Sequence, residues 1–270
     1  MNIRRGTYSR IHSIAHSLII LFGLTSCIDT IQLDLKDVGD QIVIEGKLTD
    51  DSTGNEILVT KAVDFQLKND FPPVTDATVT VRDETTNQTE VLTQTYPGVY
   101  SIQQLKGISE HQYTLTVQAD GNTYTATSTM PARVNFDQLT YESVKRLKTV
   151  TQMVAVYQDP ASVDNYYRWV LVANRLQSNN VFVRSDVATN GNLVRQTIVD
   201  DVEINPGDTI TVDMQCLSKT SYDYFNGLMK LQGNNINQGA SPTNPQTNLS
   251  GGALGHFSAY TSQKRTVVVQ

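Results

Sequence analysis

Residues 113–117 read Tyr-Thr-Leu-Thr-Val, and after the turn Asp120-Gly121 a similar run returns at 124–129. Side chains of a strand point alternately to its two faces, so strict alternation builds a sheet with one face buried. Asp-Gly between two such runs is the two-residue turn that suits the right-handed twist of paired strands. The pattern recurs upstream at 41–48, 56–62, 78–81, 90–95 and 99–103. Phe71-Pro72-Pro73 and Tyr96-Pro97-Gly98 punctuate it, proline presetting one backbone angle and glycine permitting another. Short strands with turns at roughly 8–12-residue spacing predict a sandwich over 41–132, with a boundary near 132–134.

The second half, 133–270, also reads as β-rich. Strands are expected at 152–157, 166–176, 181–187, 196–202 and 209–215, with Asn190-Gly191-Asn192 and Asn205-Pro206-Gly207-Asp208 as turns. In 166–176 the alternation puts Tyr167, Trp169, Leu171 and Ala173 inward and Tyr166 outward. One segment changes period. Tyr222, Phe225, Leu228 and Met229 recur at helical spacing, Thr220 and Asp223 resemble a capping box, and Gly233 stops the run. A single helix near 219–232 is predicted. The Asn-, Gly- and Pro-rich stretch 233–252 reads as a long loop, followed by closing strands at 254–260 and 265–269. The fold class is therefore all-β with one helix.

The beginning of the chain follows different rules. Arg4, Arg5 and Arg10 precede a short apolar run at 14–24, which leads into Leu24-Thr25-Ser26-Cys27. A basic segment, a short apolar segment and small residues form an export signal, too short to span a bilayer. Small residues directly before cysteine resemble a lipoprotein signal box. Residues 1–26 are then the signal peptide, Cys27 the lipidated first residue and 27–40 a tether, since several acyl chains anchor where one binds reversibly. The acids Asp29, Asp34 and Asp37 leave open which face of the membrane the protein occupies. Cys216, the other cysteine, continues a strand-like run and reads as a buried small hydrophobe.

Composition and motifs narrow the functional classes. The net charge of −6 does not suit nucleic acid, whose phosphates need clustered Lys and Arg. No phosphate loop, dinucleotide fingerprint, zinc spacing or nucleophile elbow occurs. Beyond the expected cleavage site only His111 and His256 remain, so triads and zinc catalysis lack parts. No cofactor, no metal and no enzymatic activity are expected. Asp200, Asp201 and Glu203 read as a solvated turn, with a glycosidase carboxylate pair as the alternative. Asp50, Asp51 and Asn55 lack the oxygen spacing of a calcium loop.

Several stretches together resemble one family. They are Cys27 with 31–37, the Ile42-Val43-Ile44-Glu45-Gly46 run, 72–81 and Pro97-Gly98-Val99-Tyr100. Met130-Pro131 and Asp159-Pro160 with Tyr166-Tyr167-Arg168-Trp169 continue the match. The most specific block is 248–260, Asn-Leu-Ser-Gly-Gly-Ala-Leu-Gly-His-Phe-Ser-Ala-Tyr. The resemblance is to an uncharacterised (domain of unknown function) family of Bacteroidota outer-membrane lipoproteins. It implies an outer-membrane location with the lipid anchor at Cys27. It also implies association with a SusC-like, TonB-dependent β-barrel transporter. The first domain is similar to immunoglobulin-like or transthyretin-like sandwiches.

The expected role is a non-enzymatic accessory or binding subunit in nutrient uptake. The alternatives are a free-standing glycan- or glycopeptide-binding lipoprotein and an accessory of an outer-membrane assembly or secretion machine. Asn248, Gly251, Gly252, Gly255, His256, Phe257 and Tyr260 form the candidate interaction block, and packing explains its glycines equally well. Asp29-Thr30-Ile31, Asp51-Ser52-Thr53 and Asp208-Thr209-Ile210 resemble a short O-glycosylation acceptor of the same bacteria.

Overall fold

The computed structural model describes residues 41–51, 53–63, 71–145, 149–198, 202–232 and 244–270. The expected signal peptide, Cys27, the tether, Asp200, Asp201 and Gly233 lie outside the described residues. Residues Val38–Gln270 form one compact unit.

Among the described residues the fold is all-β with one helix, α1 (Lys219–Gln232). The first half contains β1 (Ile42–Thr49), β2 (Glu56–Lys61), β3 (Thr78–Asp83), β4 (Thr89–Val91), β5 (Thr93–Tyr96), β6 (Val99–Ser101), β7 (Gln112–Ala119) and β8 (Asn122–Thr129). The second contains β9 (Gln138–Lys145), β10 (Thr149–Gln158), β11 (Tyr166–Ala173), β12 (Leu176–Gln177), β13 (Phe182–Ser185), β14 (Leu193–Ile198), β15 (Thr209–Leu217) and β16 (Leu254–Val268).

A nine-stranded sheet runs β12-β11-β15-β16-β1-β2-β6-β5, with β13 also paired to β11. A four-stranded sheet, β4-β3-β7-β8, and a three-stranded sheet, β14-β10-β9, accompany it. Directly paired residues share a face. Leu48 pairs with Ala259 and Thr261 with Cys216, so the inward residues of β1, β16 and β15 form one continuous face. The first half of that face packs on the four-stranded sheet, around Ile44, Ile57, Leu115, Tyr113 and Phe257. The second half packs on the three-stranded sheet, around Trp169, Tyr167, Tyr157, Met153 and Met214. The large sheet runs through both cores, and Leu249, Ala253, Phe257 and Ala259, from beyond the expected boundary near 132–134, belong to the first.

Four sequence expectations need correction. The strand expected over 166–176 ends at Ala173, where Asn174 and Arg175 turn the chain at positive φ back into β12. Residues 90–95 are two strands, because β4 pairs with β3 and β5 with β6 in different sheets. The change of sheet occurs at Leu92, which stays buried in the first core. The separate closing strands 254–260 and 265–269 are one strand, β16. Its polar middle interrupts the apolar pattern because it crosses between the two cores. There Gln263 Oε1 accepts the Phe136 N–H at 3.3 Å, and Arg265 Nε donates to the Phe136 carbonyl at 3.0 Å. Finally, Ser218 caps α1, its Oγ accepting the Ser221 N–H at 3.2 Å. Thr220 and Asp223 form no capping box, and Asp223 instead pairs with Lys219 one turn away.

Only β1 and β16 pair in parallel within the large sheet, with Ile44 opposite Gly255. Gly255 has φ +94°, and a Cβ there would lie 2.1 Å from the Ile44 carbonyl oxygen. Gly207 shares φ +94° but has open space. The pair separates strain from collision. Gly207→Ala is expected to cost about 1–2 kcal/mol, the penalty of the left-handed region alone. Gly255→Ala adds displacement of β1 from β16 and is expected to lose several times more, as read by thermal and denaturant unfolding of both variants.

Candidate functional site

The second face of the large sheet carries α1 at one end. Alternation places Glu45 and Lys47 of β1 there, with His256, Ser258, Tyr260, Ser262 and Lys264 of β16. Asp213 and Gln215 of β15 and Arg168 of β11 continue the row, Arg168 pairing with Gln215 and Asp213 with Lys264. A groove of about 390 Å³ opens beside the helix, bounded by Glu45, Lys47, Arg168, Tyr224, Phe225 and His256. A second hollow of about 510 Å³ continues over Asp213, Gln215 and Lys264. Lys47, Arg168, Gln177 and Tyr260 line both.

The helix is seated on this face by packing and by one hydroxyl. Tyr222, Phe225 and Met229 pack around Leu217, Tyr260 and Val183. Ser221 is fully buried and is the polar centre. Its Oγ accepts from Ser218 Oγ at 3.0 Å and Ser258 Oγ at 2.8 Å, and lies 3.0 Å from His256 Nε2. With two hydroxyls donating to it, Ser221 turns its own hydrogen to Nε2. That assigns the His256 proton to Nδ1. His256 is 4% exposed, and its Nδ1 has no partner among the described residues. Tyr224 stacks on it, ring centres 4.6 Å apart and planes 14° from parallel. Burial lowers the His256 value from 6.5 to about 4, so the imidazole is neutral near pH 7.

Arg168 lies in the angle between sheet and helix. Its guanidinium carbon sits 4.1 Å over the Phe225 ring, and Nη1 reaches Gln215 Oε1 at 3.4 Å. Nε has no partner. Burial pushes the guanidinium below its ordinary value, opposed by Tyr260 and Asp213. Burial also pushes the Tyr260 hydroxyl up to about 12, with Arg168 opposing. Both shifts describe a site poorly reached by water.

The candidate block divides into two groups. His256 and Tyr260 line the groove. The others hold β16 in place. Asn248 Nδ2 donates to the Phe257 carbonyl at 2.8 Å, and Asn248 Oδ1 accepts the Phe257 N–H at 3.0 Å. Gly252 offers its carbonyl to Gln41 Nε2, Gly251 lies against Tyr124, and Phe257 is fully buried in the first core.

The acids also have structural partners. Asp50 accepts from Arg133 and the Ser262 N–H, Asp51 pairs with Lys264, and Asn55 brackets Thr49. Glu203 is exposed on a loop. Among the described residues no three His, Cys, Asp or Glu side chains stand close enough to hold a metal. Cys216 is a buried free thiol, and burial pushes its value up, the opposite of an activated nucleophile. Tyr167, inward as expected, donates to the buried Asp159.

Arg168, Lys47 and Tyr224 line the groove, and Ser221 lies buried behind His256; sequence reasoning singled out none of them. A signal for Arg168 was present, since it stands two residues from the outward Tyr166. Tyr166 itself is half-buried under α1, its ring 5.0 Å from Tyr222.

A family model described as a domain of unknown function (DUF4249) matches residues 28–266. The chain belongs to the DUF4249 family. A comparison with curated proteins gives no match. DUF4249 is described by no activity, so the roles of groove residues in this DUF4249 chain rest on its own geometry.

His256 generates a pH prediction. A neutral buried imidazole binds its proton more weakly than in the unfolded chain, so the unfolded state gains protons first as pH falls. Stability present above pH 6.5 is therefore lost between 6.5 and about 4, and this group adds no further loss below that. The loss amounts to about 3 kcal/mol. His256→Gln is expected to remove that part of the decline, read as the difference in urea-unfolding free energy between pH 7 and pH 4 for the two chains.

Proposed function

We propose that this protein is a lipid-anchored accessory of the outer membrane that acts by binding rather than by catalysis. The open groove carries the binding part of this reading. It is lined by hydrogen-bond donors, a guanidinium and aromatic rings, the usual composition of a recognition surface. Tyr224, Phe225 and Arg168 are residue types that dominate binding energy where they are held rigidly. Here α1 and the sheet hold them.

The anchor rests on the export signal and Cys27. A TonB-dependent, SusC-like β-barrel is the proposed partner, on the strength of the family resemblance. In that arrangement the accessory holds cargo or covers the barrel mouth during nutrient uptake. A second reading is a free-standing binder of glycans or glycopeptides. It is favoured by the Tyr224 ring beside the neutral Tyr260 hydroxyl, since sugars stack on aromatic faces.

The test is affinity purification of the tagged full-length chain from native outer membranes in mild detergent, followed by mass spectrometry. A stoichiometric TonB-dependent barrel is expected. An assembly or secretion barrel would replace nutrient uptake with envelope biogenesis, and absence of any barrel would favour the free-standing binder. Cys27→Ser is expected to abolish labelling by a palmitate analogue and to release the chain from membranes. Retention of the unlabelled variant in the membrane fraction would refute the anchor.

A further inference from the structure

The geometry points to a carboxylate-binding site in the groove. Arg168 receives the single carboxylate of a small ligand whose uncharged body lies along the groove toward Tyr224 and His256. The inference rests on reading the groove as a binding surface. It does not depend on the anchor or on a barrel.

The unused bonding capacity of Arg168 is the first ground. A guanidinium offers five N–H donors in a fixed plane. Here one long bond to Gln215 is made, and Nε has no partner. The neighbouring lysines are neutralised: Lys47 pairs with Glu56 at 2.9 Å, Lys264 with Asp51 at 3.4 Å and Lys219 with Asp223 at 2.6 Å. Arg168 forms no ion pair among the described residues. The acid nearest in register, Asp213, is engaged by Ser262 Oγ at 2.7 Å and Gln215 Nε2 at 2.9 Å. Asp213 therefore acts on Arg168 only through its field, without a direct ion pair. A poorly hydrated cation without a contacting carboxylate is costly, and an incoming anion lowers that cost.

Orientation is the second ground. Phe225 occupies one face of the guanidinium, 4.1 Å away. A stacked guanidinium keeps its in-plane N–H groups for other partners. That edge suits a planar carboxylate, which takes two parallel bonds.

Charge count selects among anions. With Glu56 and Asp51 paired to lysines, Glu45 of the first hollow and Asp213 of the second are the acids without an ion-pair partner among the described residues. Their field disfavours a phosphate dianion more than a carboxylate of one charge. His256 is neutral near pH 7, so it adds no charge to the wall along which the uncharged ligand body lies. The first hollow, about 390 Å³, has the size of small-ligand sites. Carboxylate-bearing sugars and short peptides with a free C-terminus share the required chemistry.

The experiment is titration calorimetry on the full-length chain in detergent near pH 7. The probes are a disaccharide of one galacturonate and one galactose unit and an N-acetyl dipeptide with uncharged side chains, each beside its neutral counterpart, a galactose disaccharide and the dipeptide amide. Inorganic phosphate is the further control. Saturable binding of one carboxylate is expected, with its neutral counterpart and phosphate weaker by about tenfold or more. Which probe binds identifies the source. Arg168→Lys keeps the charge and loses the fork, and is expected to weaken the carboxylate by about tenfold with the melting temperature retained.

Should the variant unfold, the Nε–H resonance of Arg168 in the wild-type chain is followed during the titration, and a saturable shift is expected. The proposal is overturned by no binding of either carboxylate, by equal binding of the neutral counterpart or phosphate, by undiminished binding in a folded Arg168→Lys chain, or by an unmoved Nε–H signal at saturation. None of these results bears on membrane attachment or barrel capture, so the two readings fail separately.

Discussion

The parallel pairing of β1 with β16 joins the two halves of the large sheet. β16 stands between β1 and β15, and Gln41 bonds Gly252 at a separation of 211 positions. Every other neighbour pair in that sheet is antiparallel and belongs to one half or the other. β16 pairs antiparallel with β15 on its opposite side, so it alone belongs to both. Its seat is narrow. Gly255 permits the approach to Ile44, Gly46 makes room for Phe257, and Asn248 holds the backbone of Phe257. Contacts this distant must close a large loop before they stabilise anything, which makes the closing pairing a slow step in folding.

From that seat follows the difference between the two faces. One face is spent on two apolar cores, each closed by a smaller sheet. Among the described residues the second face carries one helix, whose footprint is a short apolar cluster around Leu217 and Tyr260. Beyond the footprint the alternation leaves Lys47, Gln215, Asp213 and Lys264 on the sheet surface. A groove results wherever a helix of about 10 Å diameter rests on a wider sheet. The side chains in the resulting angle are only partly hydrated, and Arg168 occupies that angle.

Strand periodicity made much of this architecture legible. The Asp120-Gly121 hairpin, the inward Tyr167 and Trp169, the single helix and buried Cys216 all follow from local rules. Long-range pairing does not follow from them, because nothing in 254–260 says that its neighbour is 42–49 and the alignment parallel. The split at Leu92 was hidden for a related reason. One apolar residue satisfies both readings, and only the sheet on each side decides. The polar 261–265 stretch resembled a break because the backbone carbonyls that accept from it come from 134–136, far away in sequence. At the site, glycines and a histidine in 248–260 attracted attention by composition. Most of them hold the strand, while Arg168 lay in a run whose inward residues drew the reading.

Electrostatics fixes how such a groove behaves. Ser221 donates to His256 Nε2, and burial disfavours the imidazolium, so the His256 ring stays uncharged near pH 7, where carboxylic acids are already ionised. Tyr260 holds its proton there too because burial raises its value to about 12. Positive charge in the angle therefore comes from Arg168, and it persists because even a lowered guanidinium remains protonated at neutral pH. Protons then act on binding through the ligand carboxylate and the flanking acids rather than through the cation. Lys47 cannot substitute for Arg168 in this role. It is exposed and paired with Glu56, and its compact ammonium lacks the planar fork. The groove's selectivity is thus concentrated in one side chain, held by Phe225 on the helix and Gln215 on the sheet. Displacing α1 would alter it as surely as replacing Arg168.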